Sequence, residues 1–402
     1  MSAWITVVGF GEDGLDGLSP VARALIDGAE VLVGGERHLA KVPPGKAERM
    51  GWGSGFPATM DEIAKLRGRR VTVLASGDPM DYGAGSALAR RFPASEMTVV
   101  PAPGAFSLAC ARMGWSRPDV ETLTVHGRPL ERLAYHLAPG ARLLVLSQDR
   151  ETPAGIAALL SAHGYGPSPI TVLEHLNGAE ERRFEGTAED WAHPQCADLN
   201  TVAVECRAGA GARLLPRVPG LPDDAFEHDG QITKREVRAA TLAALMPLPG
   251  QVLWDVGAGS GAVAIEWLRA EGSAGAVAVE RDPVRTAAIA RNAAALGVPG
   301  LRVVEGVAPD ALEGLEPPPD AVFVGGAVAE AGLLEACWEA LPAGGRLVAN
   351  AVTLEAEARL LDFHGRLGGA LTRIAVARAG PIGGRATFRP LMAVTQLAAV
   401  KG

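Results

Sequence analysis

Cysteine is scarce in this chain: four residues in 402, Cys110, Cys196, Cys206 and Cys337. Their scattered spacing gives neither a metal-binding pair nor a disulfide framework, and implies reduced, buried thiols in a cytoplasmic protein. The eight histidines contain no H-x-x-x-H pair, so no metal is expected. No apolar run reaches the roughly 18 residues that a membrane span needs. The opening MSAWITVVGF lacks the basic region and cleavage site of a signal peptide and reads directly as a strand. The formal charge of −8 argues against nucleic acid as the main partner. Internal repeats and low-complexity tracts are also missing.

Glycine, by contrast, is abundant: 50 residues, as many βα turns would require. The length suggests two or three domains, and the hydrophobic fraction of 48% is enough for sizeable cores. One stretch organises the rest, LWDVGAGSGAVAIEW from Leu253 to Trp267. An apolar run ends in Asp255. Gly257, Ala258, Gly259, Ser260 and Gly261 follow, and then a helical apolar pattern. This is strand, tight turn, helix. The glycines let backbone approach a ligand, and the helix start presents free N–H groups. Glu280 closes the next apolar run, where an acid suits ribose hydroxyls. Gly306 or Val307, after the third strand, is placed for an adenine contact. The spacing G-x-G-x-G differs from the dinucleotide G-x-G-x-x-G, although a dinucleotide and a purely structural turn stay open as readings.

In chain order, strands are expected at 5–8, 30–33, 70–75 and 97–101 with helices between them, a parallel sheet covered on both faces. Ser19 and Pro20 start the first helix. A second unit begins near Asp119. Its strands are expected at 123–125, 142–147, 170–176, 181–186 and 200–206, the last three with hairpin spacing, and its helix is capped by Thr152. The proline-rich 213–222 reads as a linker, dividing the chain into domains 1–212 (subdomains about 1–118 and 119–212) and 223–402. Beyond it, Thr233 and Glu236 are spaced as a capping box. Further strands are expected at 275–280, 301–305, 320–324, 345–351 and 371–377, with helices at 283–296, 328–340 and 354–367. A last strand, 391–400, should pair antiparallel near the edge of a seven-stranded sheet.

The G-x-G-x-G turn resembles the first motif of class I S-adenosylmethionine (SAM) methyltransferases. The N-terminal half resembles the class III, tetrapyrrole-type methyltransferases through three loops. VVGFGEDG (7–14) is a partial match carrying Gly9 and Gly11, with Glu12 where proline is common. SGDPMDYG (76–83) is the most specific, and PAPGAFSLACARMG (101–114) keeps Ser107 while departing at Ala105 and Phe106. The resemblance implies two α/β subdomains with SAM between them, contacting Gly9, Gly11, Ser76, Gly77, Asp78, Pro79, Pro103, Gly104 and Ser107. The C-terminal half resembles the decarboxylating precorrin methyltransferases, through GLPDDAFEHDGQITKREVRA (220–239), FVGGA (323–327) and GGRLVANAVTLE (344–355). A Rossmann-like seven-stranded class I fold is implied there, with Thr233, Asp255, the glycine loop, Glu280, Gly306 and Val307 at SAM.

The order of the two halves is that of the precorrin-6Y C(5,15)-methyltransferase (decarboxylating) family. It implies two SAM sites per chain and a tetrapyrrole substrate. It further implies methylation at carbon 5 by the first domain, and methylation at carbon 15 with loss of the ring C acetate carboxyl by the second. A dimer or tetramer fits the families resembled. The polycarboxylate substrate calls for cations. Candidates are Lys234, Arg235 and Arg238, then Arg378, Arg385 and Arg389, and in the first half His126 and Arg128. No catalytic acid or base stands out. A dinucleotide-dependent oxidoreductase and a SAM- or corrinoid-binding protein with one active site are the competing readings.

Overall fold

Near-continuous burial of ITVVGF builds the first strand: Ile5 and Val7 face one core, Val8 and Phe10 the other. Strands apolar on both sides need helices on both faces, and the order supplies them. In the computed structural model, residues 3–53, 55–193 and 195–402 are described. The chain runs β1 (Ile5–Phe10), α1 (Pro20–Asp27), β2 (Val31–Val33), α2 (Glu36–Ala40), β3 (Glu48–Met50), α3 (Phe56–Lys65), β4 (Val71–Ser76), α4 (Ala84–Arg91), β5 (Met97–Val100) and α5 (Ala105–Met113). The five strands are parallel in the order β3-β2-β4-β1-β5. Ser19 caps α1 by accepting the Ala22 N–H at 3.2 Å, as expected. The sequence pattern does not announce β3, because an edge strand of three residues reading ERM has no apolar face.

A mixed sheet follows: β6 (Glu121–Thr124), β7 (Arg142–Leu146), α6 (Thr152–Ala162), β8 (Pro169–Glu174), β9 (Arg182–Thr187) and β10 (Asn200–Glu205). The order is β6-β7-β10-β8-β9. β8 and β9 form a hairpin, but β10 does not pair with β9 as its spacing suggests. The apolar β10 takes the centre, and the arginine-rich β9 takes the edge. Thr152 is the first residue of α6 rather than its cap. Its hydroxyl accepts the Gln148 and Asp149 N–H groups, while Asp149 accepts from Glu151 and Thr152.

The remaining elements are α7 (Arg235–Leu245), β11 (Val252–Val256), α8 (Ala262–Ala270), β12 (Gly275–Glu280), α9 (Pro283–Ala295), β13 (Arg302–Glu305), β14 (Ala321–Val324), α10 (Leu333–Ala340), β15 (Arg346–Ala351), α11 (Leu354–Leu367), β16 (Ala370–Ile374), β17 (Ala377–Ile382), β18 (Arg385–Pro390) and β19 (Val394–Val400). Seven strands order as β13-β12-β11-β14-β15-β19-β16. β19 is antiparallel to both neighbours and lies one strand inside the edge, which β16 occupies. The stretch 371–377 ends a strand and opens the separate β17–β18 hairpin. α10 starts at Leu333, after Gly332 at φ 77°, and not at 328.

The expected capping box at Thr233 and Glu236 does not form. Lys234 is the cap residue, the Thr233 carbonyl accepts from Arg238, and Glu236 pairs with Arg378 at 2.6 Å. Arg238 is 0% exposed. It meets Glu266 at 2.6 Å and Asp223 at 3.2 Å, and lies 4.8 Å from the Phe226 ring centroid. Glu266 also accepts the Gly220 and Leu221 N–H groups, so the GLPDD run is pinned to α8 by a buried ion pair.

The chain forms two compact units: residues up to Leu130 with Ala138–Arg213, and Glu131–Leu137 with Leu214–Gly402. The segment 131–137, inside the stretch assigned by sequence to the first domain, therefore packs with the second unit. There the Arg217 guanidinium stacks 4.3 Å from the Tyr135 ring centroid. All four cysteines are buried and unpaired. Among the described residues, no helix is long and apolar enough to cross a membrane, and no cluster of His, Cys, Asp or Glu is arranged to hold a metal.

Candidate functional site

In the first unit, the loops leaving β1, β4 and β5 meet. Gly9 lies where they cross: a Cβ there would collide with the Gly77 carbonyl and the Ala102 amide. Gly77, at φ 53°, packs its α-carbon face on Gly104, and a Cβ would come within 2.8 Å of the Gly104 Cα. Asp78 accepts the Met80 N–H at 2.9 Å, which fixes the turn of its own loop. These loops form one wall of a cleft of about 1160 Å³. The other wall comes from the carboxyl ends of β6, β7 and β8, with Thr124, Ser147 and His175.

Of the residues expected at SAM, Gly11, Ser76, Gly77, Asp78, Pro103 and Gly104 line this cleft. Gly9 and Pro79 stand behind it as packing positions: the Pro79 carbonyl seats Gly83 and Gly85. Ser107 is not among the cleft's lining residues, whereas its neighbours Phe106 and Leu108 are. One helical step turns its hydroxyl outward, and it is exposed. His126 and Arg128 both line the cleft.

Sequence reasoning missed Arg37 and His38 on α2. His38 is 7% exposed, stands 3.2 Å from the Ser76 hydroxyl, and lines the cleft. Burial first, and then the Arg37 charge, push its pKa down to about 4, so the ring is neutral at pH 7. Its Nδ1 has no hydrogen-bond partner. Glu12, the departure from the family loop, pairs with Arg37 at 3.1 Å and Lys41 at 3.0 Å. Burial alone would raise its pKa, but these cations and the Lys41 hydrogen bond lower it. A Gly-Gly followed by charge after β2 was the available signal, since the other loops show the same strand–glycine–helix pattern.

In the second unit, β13, β12 and β11 are adjacent, so Glu305, Glu280 and Val256 end at one edge of the sheet. The direction of strand succession reverses between β11 and β14, the place where open α/β sheets leave a crevice. Gly257, Gly259 and Gly261 have φ of 71°, 58° and 74°. Gly257 approaches Gly326 and Ala327 of the loop after β14, bringing FVGGA beside the glycine loop. The Ser260 carbonyl accepts from buried Asn292 at 3.0 Å. The Ala258 N–H donates to the Val279 carbonyl at 3.1 Å.

Glu280 is bound to the loop it was expected to accompany. One carboxylate oxygen accepts the Gly259 N–H at 2.8 Å, and the other accepts Arg281 and Asp282 N–H groups at 3.0 and 3.1 Å. Gly306 donates its N–H to the Glu280 carbonyl at 3.0 Å, and Val307 stands exposed beside it. If SAM binds here as the sequence resemblance implies, Glu280→Ala should weaken it by about 1.5–3 kcal/mol, the range for hydrogen bonds to a charged group. Titration calorimetry giving an unchanged affinity would remove the assignment.

Asp255 is 1% exposed. One oxygen accepts the Ala264 N–H at 3.0 Å, and the other has no partner. Burial raises its pKa from 3.8 to about 7, with the Glu280 charge adding to the rise. The folded state thus keeps a proton that the unfolded state releases. Stability attributable to this group falls as pH rises from about 4 to about 7, and the full cost stays above that. Asp255→Asn removes the titration and keeps an acceptor for Ala264. Its thermal midpoint should fall less than the parent's between pH 5 and pH 8, and parallel profiles would contradict this.

The open space at Gly259, where the nearest atom to a Cβ would be the Gln231 carbonyl at 3.6 Å, leaves room for a nucleoside-bearing cofactor against the glycine loop. The cation candidates fare differently. Arg238 and Arg378 are committed to Glu266, Asp223 and Glu236. Lys234 donates to the Gly230 carbonyl, and Arg235 packs beside Gly220. Arg389 donates to the Pro381 carbonyl, while Arg385 is exposed at the hairpin turn.

Two α/β units, each with glycine loops at the carboxyl ends of parallel strands, have the architecture of nucleoside-cofactor enzymes, the class that includes the methyltransferases. Residues 5–192 match the family model of tetrapyrrole (corrin/porphyrin) methylases, and residues 224–401 match that of the precorrin methyltransferase domain. A Sinorhizobium precorrin-6Y C(5,15)-methyltransferase [decarboxylating] is 51% identical over 405 residues, covering 100% of this chain and 97% of that protein. The cobalt-precorrin-7 C(5)-methyltransferase of Salmonella typhimurium is 35% identical over 180 residues, 44% of this chain and 88% of its own. A Sulfolobus acidocaldarius protein named "Probable cobalt-precorrin-6B C(15)-methyltransferase (decarboxylating)" is 32% identical over 155 residues, 38% and 81% respectively. The chain belongs to the precorrin-6Y C(5,15)-methyltransferase (decarboxylating) family, and SAM is the methyl donor expected of it.

Proposed function

We propose that the chain methylates a precorrin twice and decarboxylates it once, in cobalamin biosynthesis, with one SAM site in each unit. The C-terminal domain, 223–402, removes carbon dioxide from the ring C acetate and methylates carbon 15. The N-terminal domain, 1–212, methylates carbon 5. The observation that carries this reading is the presence of two separate sets of glycine loops, one in each unit. Two relatives named for one activity each, C(5) and C(15), match less than half of the chain apiece, which supports the division.

When bound, SAM supplies an electrophilic methyl group, and the electron-rich macrocycle supplies the attacking carbon. The protein has then to orient the two and exclude water. In the second unit, Glu280 holds the glycine loop through the Gly259 N–H, and Asp255 holds the start of α8 through the Ala264 N–H. In the first, Gly77 and Gly104 bring two loops against each other at the cleft wall. The decarboxylation proton donor is not assigned.

The test is mass spectrometry of a metal-free precorrin incubated with SAM, paired with calorimetry. Two methyl groups gained, carbon dioxide lost and two SAM bound per chain are expected. One SAM per chain would leave the single-site reading standing. Nicotinamide-dependent absorbance changes without SAM binding would favour the oxidoreductase.

A further inference from the structure

Three arginines line the cleft of the first unit: Arg37, Arg90 and Arg128. Arg37 is paired with Glu12 at 3.1 Å. Arg90 at the end of α4 and Arg128 after β6 have no carboxylate partner among the described residues. Arg90 comes from the helix after β4, and Arg128 comes from the loop after β6 and lies over Tyr82.

Arg128 is not left to wander. Its guanidinium carbon lies 5.0 Å from the centroid of the Tyr82 ring, which itself meets Phe106 edge-on at 6.2 Å. A cation over an aromatic face is held by electrostatics while its N–H donors stay available. Tyr82 is 49% exposed and has φ 56°, a left-handed conformation that bulky side chains seldom adopt. Strain of this kind persists where the surroundings impose it, and it collects at ligand sites.

We propose that Arg90 and Arg128 recognise peripheral carboxylates of a flat polyanion in this cleft, and that Tyr82 is the positioning residue for Arg128. The inference rests on the reading of this cleft as the carbon 5 site. Two guanidiniums from different elements select for more than one anionic group on a ligand, and set specificity without touching the reacting atoms.

The experiment uses the full chain and a precorrin already decarboxylated and methylated at carbon 15, so that only the last methyl gain is read. Arg90→Gln and Arg128→Gln should each raise KM about ten-fold, with kcat within about two-fold. Arg128→Lys should recover most of the loss. Tyr82→Ala should resemble Arg128→Gln, add little to it in the double variant, and be rescued by Tyr82→Phe. Asp78→Ala is the control. If it stops the last methylation while the arginine variants keep the parent KM, this inference fails and the site reading stands. If Asp78→Ala and the arginine variants all methylate normally, the site reading fails and takes the inference with it. Loss of kcat with unchanged KM in the arginine variants would also overturn it.

Discussion

Gly259→Val should abolish SAM binding in the second unit while leaving that unit folded. The position has φ 58°, and a Cβ would meet nothing closer than the Gln231 carbonyl at 3.6 Å. Packing in the free chain therefore does not forbid the side chain. The backbone conformation costs about 1–2 kcal/mol for a residue with a Cβ. The larger effect is on the ligand: the branched side chain fills the space the glycine loop leaves open and disturbs the N–H that Glu280 accepts. A weakening of more than about 100-fold is expected. Carbon 15 methylation should disappear and SAM stoichiometry fall to one. Calorimetry showing two sites of parental affinity would mean that this loop is a structural turn.

Gly9→Ala should disable the first unit for the opposite reason. Here the obstacle lies in the protein itself, since the added methyl would overlap backbone atoms of Gly77 and Ala102. Neither can rotate away as a side-chain end would, so the loops after β4 and β5 must separate. Overpacking usually costs about 1–3 kcal/mol, and two backbone obstacles place this substitution at or above the top of that range. The second unit has its own core, including Leu253, Ile265 and Phe323, and should keep its stability and its decarboxylation. A thermal profile in which one transition falls and one stays is the expected result. An unshifted profile with two SAM bound would contradict the close approach of the loops.

The contrast between these glycines explains what was legible in the sequence. Gly259 sits in a continuous motif between a strand and a helix, so its conformation could be read from adjacent letters. Gly9 and Gly77 are 68 positions apart, and only the parallel pairing of β1 with β4 places one against the other. The seven-stranded sheet followed from strand spacing, because its helices alternate regularly. The place of β10 between β7 and β8 did not, because local spacing favours the hairpin and burial decides the order. Arg238 reads from the sequence as a candidate cation for the substrate's carboxylates. Glu266, 28 positions away, makes it a buried strut. His38 was missed because its position depends on Ser76 and Phe10 across the sheet. Ser107 does not line the cleft for a simpler reason: a motif gives residue types, and the phase of α5 decides which of them face the cleft.

The central claim is that two methyl transfers are separately housed in one chain. It is tested most directly by weighing the product of Asp78→Ala after incubation with a metal-free precorrin and SAM. Asp78 holds the turn of its loop through the Met80 N–H, within the cleft of the first unit alone. The account predicts a product that has lost carbon dioxide and gained one methyl group, at carbon 15. A product that retains the carboxyl group, formed by a variant that is still folded, would contradict it.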